Sequence, residues 1–419
     1  MIADVLIKNA SELVTVRGAR GGPKTKQGMQ DLGIIRNGAV AIEGAEIVAV
    51  GDTDEVLATI KQARTVIDAT DRTVLPGFVD CHTHLVFGGS REDEFIQKIE
   101  GRSYLEIMQR NGGIFSTVEK TREALASPRA LMKRAQAFLD KMLAFGTTTA
   151  EIKTGYGLST ESELGLLKII ARLKESHPVD IVSTFLGAHA LPKEYKERKA
   201  DYIQLVLGML ERVKSEGLAE YCDVFVEVGA FSPSEARTIL EQAKKHGLKL
   251  KLHAGEFNDM GGAELGAELG ATSIDHLDYI SERGMELMAE KKTIGVLLPG
   301  VPFHLMTSKY APARKLIEAG VPIALATDFN PGSCPTFSMQ MIIALACREL
   351  KMTPAEAINA ATINAAYALD RGDKVGSIEV GKKADIIVLD IPHHQQLPYW
   401  FGVNLVAKVV KNGVVTYPP

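Results

Sequence analysis

The chain has 419 residues, of which 46% are apolar and 24% charged; this ordinary globular composition excludes a disordered, collagen-like or coiled-coil chain. Lys and Arg number 48 against 52 Asp and Glu, so the net charge is −4 and no basic field is available to hold nucleic acid or an anionic membrane. Four scattered cysteines (Cys81, Cys222, Cys334 and Cys347), no leader-like N-terminus and no charge-free apolar run of membrane length predict a cytoplasmic protein in a reducing compartment.

Residues 1–75 read as short strands at 3–9, 13–16, 34–42 and 46–51, punctuated by Gly21-Gly22-Pro23, Asn37-Gly38 and Gly44. Asn37-Gly38 between apolar runs predicts a hairpin. The tail behaves likewise, with apolar runs at 384–390 and 406–411 and then Asn412-Gly413 before Val414. Two β-rich ends around a different middle predict that the termini (1–75 and 371–419) form one small β-sandwich domain.

The middle, 76–370, alternates. Apolar runs at 74–80, 145–153, 180–188, 222–230, 248–254, 272–277, 293–298 and 322–327 are separated by segments with helical spacing. These segments fall at 128–144, 160–176, 199–216, 233–246, 259–270, 281–291 and 311–319, and a further helical stretch at 335–370 closes the region. Near-continuous apolar strands between amphipathic helices indicate a parallel sheet covered on both faces. Eight such units predict an α/β fold of the (β/α)8 TIM-barrel type.

Chemistry in such a barrel sits at the C-terminal strand ends. Those ends carry Asp80-Cys81-His82-Thr83-His84, Glu151-Ile152-Lys153, His189, His253-Ala254-Gly255-Glu256, Asp275-His276 and Asp328-Phe329-Asn330-Pro331-Gly332-Ser333. Five of the ten histidines close a strand. His82 and His84 are two apart, so both imidazoles face the barrel interior while Cys81 faces the helices. A lone His-x-His is a weak metal signal. With His253, His276 and Asp328 on other strand ends, neutral imidazoles and a carboxylate form a donor set for Zn²⁺ or Fe²⁺. The bland alternative is several unrelated buried histidines, each needing its own hydrogen-bond partner.

The run Val74-Leu-Pro-Gly-Phe-Val-Asp-Cys-His-Thr-His-Leu85 resembles the first-strand signature of the amidohydrolase superfamily, and Gly381-Lys-Lys-Ala-Asp-Ile-Ile-Val-Leu389 its C-terminal β segment. Glu151–Ser159, Leu186–Ala190, His253–Phe257, Asp275–Leu277 and Ala326–Ser333 are together similar to the branch of that superfamily that acts in histidine degradation. The resemblance implies one divalent metal per chain, zinc or iron, held by His82, His84, His253 and Asp328. It implies catalytic roles for Glu256, His276 and Asp328, with His276 beside the attacking water. It implies substrate contacts from Arg91, Tyr156, His189, Glu256, Asn330, Gly332 and Ser333. Gly255 departs from the pattern, which leads us to expect a larger polar residue there.

The implied reaction is hydrolysis of the ring amide of 4-imidazolone-5-propanoate, giving N-formimidoyl-L-glutamate. A divalent metal lowers the pKa of water toward roughly 7. Glu256, three residues after His253, is placed to take a proton and pass it to the leaving nitrogen. His276 then orients the nucleophile, and the two roles are exchangeable. Arg91, beyond Gly88-Gly89, offers a planar fork for the propanoate. Gly332 permits close approach of a ligand, with backbone N–H groups and the Ser333 hydroxyl as donors. Lys153 is read as a structural cation rather than a carboxylated bridge between two metals. The long segment 88–117 is a candidate lid, and His304, which follows the seventh strand outside the motifs, is read as a surface or packing residue. The nearest rival is a ring aminohydrolase, which Arg91 disfavours; a non-catalytic assembly protein would have lost metal ligands. A homodimer is a family-level expectation.

Overall fold

The computed structural model describes residues 2–18, 21–102 and 112–418. The candidate lid at 88–117 therefore lies partly outside the described residues. The N-terminal part forms β1 (Ile2–Ala10), β2 (Glu12–Val14), β3 (Ile34–Ile35), β4 (Gly38–Glu43), β5 (Glu46–Asp52), β6 (Gln62–Asp68) and β7 (Thr73–Pro76). The barrel strands are β8 (Phe78–Asp80), β9 (Thr147–Lys153), β10 (Asp180–Ala188), β11 (Tyr221–Val226), β12 (Lys249–Ala254), β13 (Ser273–His276), β14 (Ile294–Leu297) and β15 (Ile323–Leu325). The tail adds β16 (Ile386–Leu389), β17 (Val406–Lys411) and β18 (Val414–Tyr417).

The termini do combine. One sheet runs β5-β4-β1-β6 and the other β18-β17-β16-β7-β2-β3, so strands from both ends share the second. Val5, Ile7, Leu13, Val40, Ile42, Val74, Ile386, Val388 and Val410 make one buried cluster across the two sheets. This is the small β-sandwich expected from the sequence.

Two local expectations are corrected. Asn37-Gly38 does not turn a hairpin. β3 pairs with β2 while β4 pairs with β1 and β5, so the chain leaves one sheet there and enters the other. Asn37 has φ +49 but Gly38 is not in the positive region, whereas a two-residue type I′ hairpin needs both. Asn412 and Gly413 do meet that requirement, at φ 50 and 76, between the antiparallel β17 and β18. The apolar run 74–80 is likewise two strands. β7 pairs with β16 in the sandwich and β8 with β9 in the barrel. The break falls at Gly77, where a Cβ would stand 2.3 Å from the Thr148 side chain.

The barrel strands follow one another in parallel from β8 to β15. All seven residues of β9 are buried, as a sheet covered on both faces requires. Closure occurs beyond the strand ends, where the Asp328 N–H donates to the His82 carbonyl at 2.9 Å and the His84 N–H to the Phe329 carbonyl at 3.0 Å. The first and last motifs are thereby stitched together. Helices lie where the spacing placed them, at Pro128–Ala144, Thr160–Ser176, Lys199–Ser215 and Pro233–Lys245. The last begins with a capping box, in which the Ser232 side chain accepts from the Glu235 N–H and Glu235 returns to the Ser232 N–H. The stretch 335–370 resolves into Met339–Arg348, Pro354–Ala361 and Ile363–Ala368. Cys81 is buried in an apolar cluster with Ala365 and Leu369. No helix among the described residues is long and apolar enough to cross a membrane.

Candidate metal centre and active site

The strand-end residues converge. His82, His84, His253, His276 and Asp328 are all at most 3% exposed. Asp328 Oδ1 lies 3.3 Å from His82 Nε2 and 3.5 Å from His84 Nε2. His253 Nε2 lies 3.3 Å from His84 Nε2. Three overlapping trios of donors, His82/His253/His276, His84/His189/His253 and His82/His84/Asp328, each fit within 4.8 Å.

These donors are short of partners. His82 Nε2, His84 Nδ1, His276 Nδ1 and Asp328 Oδ1 are buried without a hydrogen bond, a costly arrangement unless something else satisfies them. The Nδ1 atoms of His82 and His253 are anchored. His82 Nδ1 is 2.6 Å from Asp275 Oδ2 and His253 Nδ1 is 3.0 Å from Asp223 Oδ1. A carboxylate on Nδ1 puts the proton there and aims the Nε2 lone pair inward, as metal-binding imidazoles require. Burial, then nearby positive groups, pushes His82, His84 and His253 well below the usual histidine range, so all three stay neutral and able to ligate. Ligands at 2.0–2.1 Å on a tetrahedral ion stand about 3.4 Å apart. The three donor separations of 3.3, 3.3 and 3.5 Å match that spacing. The residues present fit a divalent ion.

Backbone conformation completes the set. Asp275 and His276 are consecutive, so a regular strand would send them to opposite faces. His276 instead has φ 82 and Asp328 has φ 52, which costs about 1–3 kcal/mol for each residue in the left-handed region. The strain lets neighbours in sequence reach one centre. At Gly255, φ is +69, so glycine supplies a conformation that the larger residue expected from the resemblance would resist.

Glu256 Oε2 is 3.7 Å from His276 Nε2. Burial, and then the Asp328, Asp278 and Glu227 carboxylates, raise Glu256 well above the usual carboxylate range, while burial lowers His276 to about 4. The loop after His253 is held by Glu227, which accepts from the Phe257 and Asn258 N–H groups. His189 stacks on His84, with ring centroids 4.8 Å apart, and its Nδ1 lies 3.1 Å from the Gly155 carbonyl. The Tyr156 ring is 5.6 Å from His84 and 5.4 Å from His189. Its loop is fixed by buried Glu163, which accepts from the N–H groups of Gly155, Gly157 and Leu158.

Arg91 reaches the same mouth from the start of the helix Glu92–Ile99. Its Nε donates to Glu94 at 2.8 Å. It lies against Gly332, where an added Cβ would meet Nη1 at 1.7 Å, so a larger residue there would displace the guanidinium. Asn330 organises the last loop by accepting from the Gly332 N–H at 2.7 Å and the Ser333 N–H at 2.8 Å. Its amide donates to the Asp328 carbonyl and to Ser333 Oγ. Those two N–H groups thus serve the loop itself. His304 stacks on Phe95, with centroids 5.4 Å apart, beside this mouth rather than among the donors.

Of the layer beneath, sequence reasoning identified Lys153 as a structural cation but missed Asp223 and Lys251. Lys153, Glu151, Asp223 and Lys251 are wholly buried and charged partners of one another. The alternation that puts Lys251 on the face of His253 was available, but the Asp223 contact with His253 depends on the pairing of β11 with β12.

Residues 73–416 match the Amidohydrolase family. Imidazolonepropionase of Alkaliphilus oremlandii (strain OhILAs) is 50% identical over 418 residues, covering 99% of this chain and 98% of that protein. Imidazolonepropionase of Geobacillus kaustophilus (strain HTA426) is 51% identical over 415 residues, covering 98% and 97%. Among solved structures, a zinc-bound adenosine deaminase from Xanthomonas campestris superimposes with a TM-score of 0.73 at 20% identity, over 99% of this chain and 93% of that one; this likeness concerns the fold alone. The chain belongs to the amidohydrolase family and, within it, to the imidazolonepropionases.

Proposed function

We propose that this site hydrolyses the ring amide of 4-imidazolone-5-propanoate to N-formimidoyl-L-glutamate, with one zinc or iron ion per chain. The observation that carries the metal reading is the 3.3–3.5 Å spacing of facing donor atoms of His82, His84, His253 and Asp328, with His82 Nε2 and Asp328 Oδ1 buried without a hydrogen bond. The substrate follows from full-length identity near one half to imidazolonepropionases.

His82, His84, His253 and Asp328 would hold the ion. When bound, it polarises the ring carbonyl and lowers the pKa of water toward about 7. Glu256 accepts a proton from the attacking water at a carboxylate oxygen. Water's oxygen bonds to the ring carbonyl carbon, the C–N bond breaks, and Glu256 returns the proton to the leaving nitrogen. Asp328 is the second group able to take that proton. Neutral His276, beside Glu256, orients the nucleophile and donates to the developing oxyanion. Arg91 grips the propanoate, and Tyr156 and His189 wall the ring. Asn330, Gly332 and Ser333 form the opposite wall, with the Ser333 hydroxyl turned to Asp328 Oδ2 at 3.4 Å.

The deciding experiment incubates the purified protein with 4-imidazolone-5-propanoate. Product should form, stop on chelation and resume with added zinc or iron. No product from the metal-restored protein would end this reading, and ammonia release from a nucleobase panel would favour the ring aminohydrolase instead. Arg91→Met should raise KM by about 10–100-fold through loss of a charged, two-pronged contact. Metal affinity should not change, and an unchanged KM would remove Arg91 from the substrate site.

We place the enzyme in the cytoplasm, where the four free cysteines suit a reducing compartment. We also propose a homodimer. Exposed Tyr399, Trp400, Phe401 and Val403 supply apolar surface for a second copy.

A further inference from the structure

Lys153 ends β9 and its side chain is 0% exposed. Its Nζ lies 2.7 Å from Asp223 Oδ2, 3.2 Å from Glu151 Oε1 and 3.3 Å from Asp275 Oδ2. Two of these carboxylates are the ones that anchor ligand imidazoles. Asp223 holds His253 Nδ1 through its other oxygen, and Asp275 holds His82 Nδ1. One ammonium is therefore joined, through one carboxylate each, to imidazoles carried by β12 and by the segment after β8. Lys251 occupies a different place, with Glu151 Oε2 at 3.0 Å and the Cys81 carbonyl at 3.4 Å.

We propose that Lys153 is a positioning residue: it fixes Asp223 and Asp275 so that His82 and His253 present Nε2 to the metal, and thereby sets metal affinity. The proposal rests on the metal reading above. Two carboxylates that share a buried cation are drawn to it. Without it they repel each other at low dielectric, and of the two only Asp275 keeps another side-chain donor besides its imidazole, the Ser273 hydroxyl at 2.7 Å. Rotation of either carboxylate releases an imidazole Nδ1, and with it the ring orientation that the outer partner enforces. A neutral residue of the same length would keep the packing volume but lose this function. A carboxylated lysine could not play it, because the positive charge would be gone.

The test compares the full chain with Lys153→Met, Lys153→Gln and Lys251→Met. Zinc affinity is measured by chelator competition, and the visible spectrum is recorded on the cobalt-substituted proteins. Lys153→Met should bind zinc about 10–100-fold more weakly, the usual cost of losing an outer-shell partner, with an altered cobalt spectrum. Lys153→Gln keeps one donor and should fall between; it also serves if the Met variant does not fold. Lys251→Met removes a buried cation from the same layer that is bonded to Glu151 and the Cys81 carbonyl and reaches Asp223 and Asp275 only through longer-range charge, so its loss should be clearly smaller. A folded Lys153→Met or Lys153→Gln with unchanged zinc affinity and cobalt spectrum would overturn the proposal. An equal loss in Lys251→Met would do so too, by showing a general effect of charge. A parent chain that binds neither metal would instead remove the metal reading on which the proposal stands.

Discussion

Glu256→Gln is expected to lower kcat by about 10²–10⁴-fold, the range for a lost general acid–base, while zinc stays bound. The substitution keeps the size of the side chain and its place beside His276. It removes the ability to take a proton from water and return it to nitrogen. Burial and the surrounding carboxylates hold Glu256 well above the ordinary range, so its accepting, ionised form is depleted as pH falls. Activity of the parent enzyme should accordingly decline on the acid side, and Glu256→Gln should lack that limb. The measurements are kcat against pH and bound zinc per chain. Near-normal turnover would transfer the proton-carrying role to Asp328.

Asp328→Ala acts one step earlier. Removing the only carboxylate of the donor set leaves three neutral imidazoles. Outer-shell losses alone cost 10–100-fold in affinity, so loss of a direct ligand should weaken zinc binding by more than about 100-fold. The variant should emerge from gel filtration without metal, lose activity at ordinary zinc concentrations, and no longer gain thermal stability from added zinc as the parent does. The stability readout separates an emptied site from a merely inactive one. A variant that retains stoichiometric zinc and turnover would exclude Asp328 from the centre.

The donors themselves were legible in sequence because strand ends and period-2 alternation are local. His82 and His84 needed only their spacing, and His253, His276 and Asp328 only the pattern of apolar runs that placed them at one mouth. The barrel and the sandwich followed from the same periodicity. Some features were not legible locally. The run 74–80 has uniform apolar character, yet it divides because its halves pair in two different sheets, at Gly77, where the Thr148 side chain passes too close for a Cβ. Asn37-Gly38 has the composition of a hairpin turn, yet its flanking strands find better partners in two different sheets.

The amino-acid sequence alone thus determined which histidines and carboxylates gather at one end of the barrel, since apolar period and strand length act over a few neighbouring residues. Tertiary structure alone decided how those residues are aimed. The left-handed turns at His276 and Asp328, and the placing of Asp223, Asp275 and Lys153 behind the imidazoles, arise only when strands distant in the chain pair in register. Orientation in a buried site is set by partners across the sheet, and those partners are brought together by packing of the whole barrel.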